Sequence, residues 1–169
     1  DGNDGSGRRG KRSLHPELEA DFRALWLQPT RPKVKACYRD LAKIALVERH
    51  RGTGRVQVGL VHGFGFTAPC AFGTTVAHDS HHMIVAGTDE ADMALAANTL
   101  AQIGGGQVVV RQGGVIGRLE LPIAGLMSNE PAEVVARKAA SLLEGFAACG
   151  CTLNNPNMQL SLLALMKHL

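Results

Sequence analysis

Apolar spacing changes once along this chain, at Thr88, and that change limits the fold more than any other feature. Upstream of it, apolar residues come in short runs: "LAKIALVERH" (41–50) and "RVQVGLVHGFG" (55–65) joined by "RGTG", then residues 70–77 and 83–87. Runs of this length bounded by glycine-rich connections are strand signals, and the first two read as a hairpin. Downstream, Met93, Ala96, Ala97, Leu100 and Ile103 recur every three or four residues behind the acids Asp89 and Glu90, until "GGG" at 104–106 stops the pattern. That is a helix with an acidic start and a glycine end. "QVVVRQGGVIGRLELP" then reads as a hairpin turning at Gly113 and Gly114, and a second helix opens near Pro131, with Val135, Ala139, Leu142 and Phe146 inward. "MQLSLLAL" alternates like a last strand. The order predicts an α+β fold, a mixed α/β sandwich in which a β-rich sheet is covered by two main helices, both on one side.

The first 40 residues stand apart. "DGNDGSGRRGKR" is glycine-rich and polar, with nothing to bury, so weak order or disorder is expected there. Leu18, Phe22 and Leu25 then keep helical spacing after Pro16, before Pro29 and Pro32 break it. A chain of 169 residues suits one domain with a real core, placed here at 41–169.

Several function classes drop out. Residues 1–55 hold thirteen Lys or Arg against seven acids, but residues 56–169 hold five against eight, and the basic positions form no stripe interleaved with aromatics. With only five Phe, one Trp and one Tyr, stacking platforms are scarce, so no nucleic-acid partner is expected. No apolar run has the length of a membrane span, and the N-terminus carries no short apolar signal core, so a cytoplasmic location without a membrane is expected. Cys37, Cys70, Cys149 and Cys151 include no CxxC pair, and reduced thiols are the default. Gly63, Gly65 and Ala68 match GxGxxA, but Pro69 and an apolar run follow where a dinucleotide fold needs a helix. No GxxxxGK[ST] loop and no HxE with PCxxC is present.

What remains is "HDSHH", residues 78–82, between two apolar strands. Imidazole and carboxylate are good ligands for Mn, Fe or Zn, but a site needs three or four of them converging. Strand geometry would put His78 and Ser80 on one face and Asp79 and His81 on the other, whereas a turn can bring its first and fourth residues together. A solvated, histidine-rich turn fits the same letters. Ser80 beside His81 is not a catalytic pair, because neighbouring strand residues point apart. If His78 and His81 are ligands or proton carriers, they must meet Asp79, or imidazole from His50 or His62.

Four collinear stretches resemble the C-terminal domain of the bacterial adenine deaminases of the amidohydrolase superfamily. They are "KIALVERHRGTGRVQVGLVHGFG", "TTVAHDSHHMIVAGTDEADMALAANTL", "GGGQVVVRQGGVIGRLELPIAGLMSNEPAEVVA" and "NPNMQLSLLAL", spanning about residues 41–165. The resemblance implies a metal-dependent hydrolase that takes adenine and water to hypoxanthine and ammonia, with manganese or iron held mainly on a (β/α) barrel of about 250 residues. That barrel is absent from these residues, so the resemblance implies a barrel domain or subunit as partner and a chain inactive alone. A homo-oligomer is expected too. It further implies catalytic roles for His78, Asp79 and His81, an accessory metal or active-site loop at His78 and His81, and a charged strand end at Glu48, Arg49 and His50 facing barrel and substrate. A structural role for that strand end, and a non-catalytic interaction or oligomerisation domain, are the alternatives. Where the family pattern reads HDSHN and VKGFG, this chain has His82 and His62, and it stops soon after "LSLLAL". A fragment, split subunit or degraded copy, truncated at its C-terminus, is therefore expected.

Overall fold

The computed structural model describes residues 41–165, which lie in one of the chain's two compact units, Lys33–Leu169. The weak order expected for 1–40, the helical pattern at 18–25 and Cys37 fall outside the described residues.

Six strands form one sheet: β1 (Leu41–Val47), β2 (Val56–His62), β3 (Cys70–Thr74), β4 (Met83–Gly87), β5 (Gly106–Arg111) and β6 (Gly114–Glu120), in the order β2-β1-β4-β3-β5-β6 with every pairing antiparallel. The central β3 and β4 are buried at every residue, which is why their sequences are continuously apolar instead of alternating. Both β4 and β5 run antiparallel to β3 and therefore parallel to each other, so the connection between them must cross a face of the sheet. Helix α1 (Glu90–Gln102) makes that crossing. Its N-cap is Asp89, whose carboxylate accepts from Asp92 N at 3.0 Å. Helix α2 (Ala132–Ala148) follows β6.

The two long helices lie on opposite faces. Along each strand, alternate residues point to alternate sides. Ala71, Met83, Val85, Val108 and Val110 pack with Ala96 and Leu100 of α1, whereas Cys70, Phe72, Ile84, Ala86, Val109 and Leu119 pack with Leu142 and Phe146 of α2. Phe72 meets Phe146 edge-on, centroids 4.5 Å apart. The expectation that both helices share one side is thus corrected: helical periodicity marks which side of a helix is apolar, not which sheet face receives it. Both faces of the sheet carry apolar residues, so each takes its own layer. Cys70 and Cys149 are buried in the α2 layer and, with Cys151, are free thiols.

The tail departs from expectation as well: "MQLSLLAL", residues 158–165, is expected as a strand, but residues 156–163 form helix α3 (Pro156–Leu163). Asn155 is in the left-handed region at φ 54°, its side chain accepts from Met158 N, and Pro156 takes the first turn, where a missing N–H costs nothing. Leu160, Ser161 and Ala164 are then buried on one side. The start signal "NP" decided the structure of an apolar run too short to show its period.

Boundaries also move. β1 stops at Val47, leaving Glu48, Arg49 and His50 in the loop, and β3 stops at Thr74. The second hairpin turns at Gln112 and Gly113, both with positive φ (51° and 79°), as a two-residue hairpin of matching twist requires. Buried Asp92 of α1 accepts from both turn amides, Gln112 N at 2.9 Å and Gly113 N at 2.7 Å. No helix among the described residues is long and apolar enough to cross a membrane.

Candidate functional site

Strand register brings the distinctive strings together. Val47 pairs with Met83, Thr74 with Ile84 and Gln107, and Gly106 with Glu120, so the loops 48–55, 75–82 and 121–131 all leave the same end of the sheet. "ERH", "HDSHH" and "PIAGLMSNEP" occupy those three loops.

Glu48 builds the first loop. Its Oε1 accepts from His50 N at 2.5 Å and Arg51 N at 2.6 Å, and its Oε2 from the amide and hydroxyl of Thr53, both at 3.0 Å. Those amides, Thr53 and Arg51 foremost, favour the charged form and pull the carboxyl down to about 2. Arg49 reaches across to the other two loops: Nε donates to His81 O and Nη2 to Ala124 O, each at 2.6 Å. Partial burial draws its pKa below the usual arginine value. His50 Nε2 lies 2.7 Å from Ser80 O. A carbonyl only accepts, so Nε2 is the donor in this bond.

The histidine loop is tied from below. His78 N donates to Ser161 of α3, at its carbonyl (3.2 Å) and its Oγ (3.3 Å), so the tail string holds the loop too. His81 is in the left-handed region at φ 48°, with its N–H on Ala77 O at 2.6 Å. The rings of His78 and His81 are 6.3 Å apart, tilted by 48°, and His78 Nδ1 lies 3.7 Å from Asp79 Oδ1. His81 Nδ1 is buried with no hydrogen-bond partner among the described residues. The rings of His50 and His82 lie 5.0 Å apart. On the third loop, Lys138 of α2 holds Glu130 Oε2 at 2.5 Å and Glu120 Oε2 at 2.6 Å.

Between the first two loops is an open cleft of about 530 Å³, lined by Glu48, His50, Arg51, Arg55, Ser80 and His82 among others. The structure therefore brings "ERH" and "HDSHH" together, and splits the histidines into a His50–His82 pair on the cleft and a His78–His81 pair beside it. His62 does not join them: it pairs with Leu41 at the far end of β1. Ser80 and His82 belong to the "HDSHH" cluster already singled out in the sequence, whereas Arg51 and Arg55 on the cleft, and Thr75, Gly125 and Ser161 in the scaffold, carry no signal there. Only register and loop contacts mark them, and neither leaves a local pattern.

A divalent ion needs at least three good ligands, and among the described residues no three His, Cys, Asp or Glu are grouped to hold one. The described residues do not by themselves fit a manganese or iron centre. A site at His78 and His81 would need a ligand from outside them.

Residues 25–167 match the adenine deaminase C-terminal domain family. The chain is 60% identical over 127 residues to an adenine deaminase of Ruegeria pomeroyi, covering 75% of this chain and 21% of that protein. It is 54% identical over 151 residues to an adenine deaminase of Paracoccus denitrificans, with 89% and 25% covered, and 53% identical over 126 residues to one of Moorella thermoacetica, with 75% and 21% covered. The chain thus spans between a fifth and a quarter of the curated relatives it matches. A family match over most of its length, and the meeting of the family's strings at one end of the sheet, lead to one conclusion: this chain belongs to the adenine deaminase C-terminal domain family.

Proposed function

We propose that this chain serves as the C-terminal part of an adenine deaminase, in which adenine and water give hypoxanthine and ammonia, and that a barrel domain or subunit outside these residues holds the reaction centre. The observation that supports this reading most is the convergence of the "ERH" and "HDSHH" loops on one open cleft. In this reading manganese or iron belongs to the barrel, where it would supply a water of lowered pKa. This chain supplies a polar wall. Glu48 and Arg49 frame it, His50 faces the substrate side, and His78, Asp79 and His81 form the part that closes on the barrel, with His81 Nδ1 as a nitrogen able to hold or pass a proton.

The test is complementation. A relative's adenine deaminase truncated before its C-terminal domain, loaded with manganese, would be assayed for ammonia release from adenine with and without this chain. Activity is expected only in the mixture. Deamination by a contaminant-free preparation of this chain alone would overturn the reading, as would a barrel fragment with full activity that the chain neither binds nor changes.

A second reading, an interaction or oligomerisation domain, is favoured by one observation. Among the described residues β2 is an edge strand that presents Val58 and Val56 at 76% and 53% exposure and contains no Lys, no Pro and no bulge, three of the devices that guard an edge. In that reading β2 pairs with a strand of a partner subunit. Sedimentation of the chain and of Val58→Lys separates the two: a dimer abolished by V58K supports it, and a monomer removes it.

A further inference from the structure

Arg49 spans two loops, so something must hold the guanidinium where it can reach both carbonyls. Three observations single out a support. Thr75, 1% exposed, donates from Oγ1 to Gly125 O at 2.6 Å while accepting from Gly106 N at 2.8 Å. This fixes the 121–131 loop to the start of β5. Gly125, at φ 73°, lies directly beneath the guanidinium: a Cβ there would be 2.6 Å from Arg49 Nη2 and 2.9 Å from Cζ. Arg49 then bonds Ala124 O on that loop and His81 O on the histidine loop. His81 is held in a left-handed conformation that a β-carbon disfavours, and among the described residues its backbone is bonded through its N–H to Ala77 and its carbonyl to Arg49.

We propose that Thr75 and Gly125 are positioning residues for the histidine loop, acting through Arg49. Thr75 anchors the 121–131 loop, the bare backbone of Gly125 gives the guanidinium a seat, and Arg49 holds the His81 backbone so that its ring stays beside that of His78. The hydroxyl is needed because it donates and accepts at once, which valine of the same shape cannot do. Hydrogen is needed at Gly125 because a methyl would displace the charged group. The importance of His81 rests on the function proposed above, but the relay itself does not.

NMR on the full chain tests it without any activity. The readouts are the correlation across the hydrogen bond from Arg49 Nε–H to the His81 carbonyl carbon, and the backbone coupling that reports the φ of His81. Thr75→Val and Gly125→Ala are expected to lose the correlation and to move His81 out of the left-handed region, while the amides of Val108, Val109 and Val110 keep their positions. Thr75→Ser is expected to retain both signals. Arg49→Lys, which puts a single nitrogen where Nε and Nη2 separately reach the two carbonyls, is expected to move His81 out of the left-handed region as Gly125→Ala does. If the valine variant fails to fold, Gly125→Ala and Arg49→Lys carry the decision. The inference is overturned if the correlation survives in folded Gly125→Ala, or if His81 keeps its φ in Arg49→Lys. A failed complementation assay would leave this result standing, so the two ideas fall separately.

Discussion

Arg49 Nε donates to the carbonyl oxygen of His81 across 2.6 Å, joining residues 32 positions apart on two different loops. The bond explains how two polar strings that share no strand come to form one wall. It also ties the hairpin loop 48–55 to the histidine loop, so changes in either should be felt in the other.

Acid should loosen the hairpin loop through Glu48. Its carboxyl is lowered from 4.5 to about 2 in the folded chain, so the charged form is the one the loop amides stabilise. A depressed folded value means that this contribution is complete above pH 4.5 and is lost as pH falls towards 2. The protection of the Arg51 and Thr53 amides, their exchange rate relative to the intrinsic rate at each pH, is expected to fall in the parent chain between pH 5 and pH 2. In Glu48→Gln the same amides should be less protected throughout, and their protection should show no step in that window.

Leu100 and Leu142 are both fully buried, one in each layer. Replacing either with Ala should cost about 2 to 5 kcal/mol. Because the sheet separates them, the double variant should lose the sum of the two, within about 0.5 kcal/mol. Chemical denaturation measures all three. A double variant far from additive would contradict the assignment of the helices to opposite faces.

Asp92 offers one oxygen to each amide of the second hairpin turn. Asp92→Ala leaves both amides without a partner and should cost about 1 to 3 kcal/mol, and Asp92→Asn, with one acceptor remaining, should cost less. Denaturation midpoints in the order parent, Asn, Ala are the expected result. Equal midpoints for Asn and parent would mean that a single acceptor suffices.

In the complemented enzyme, His78→Ala and His81→Ala are each expected to lower the deamination rate, while His82→Asn, which restores the family pattern, leaves it unchanged. Ring contact with His50 would be lost in that variant, so the comparison also shows whether the His50–His82 pair matters. Three neutral outcomes would return the histidine loop to a purely structural role.

The elements were largely legible in the sequence, and so was the family. All six strands and both long helices stand close to where apolar spacing, Asp89 and Pro131 put them, with the ends of β1, β2 and β3 shorter than expected, because those signals act over a few residues. The tail was not legible, since an eight-residue apolar run does not reveal its period and the "NP" start outweighed its alternation. Of the site, the strings could be picked out but not their partners. His50 was placed with the strand end, but its pairing with Ser80 and His82 depends on where β1 and β4 lie side by side. His62 carries the same side chain and is excluded by the same register.

By itself the sequence determined which segments are strands or helices for all but the tail, which side of each long helix is apolar, and to which family the strings belong. The first two depend on neighbours within a few positions, and the third on the linear order of the strings. Tertiary structure alone decided that α1 and α2 take opposite faces, that "ERH", "HDSHH" and "PIAG" leave one end of the sheet, and that Arg49 turns towards backbone carbonyls. The reason is that strand order and register set those distances, and they arise from burying both faces of the whole sheet at once, a condition that no single segment contains.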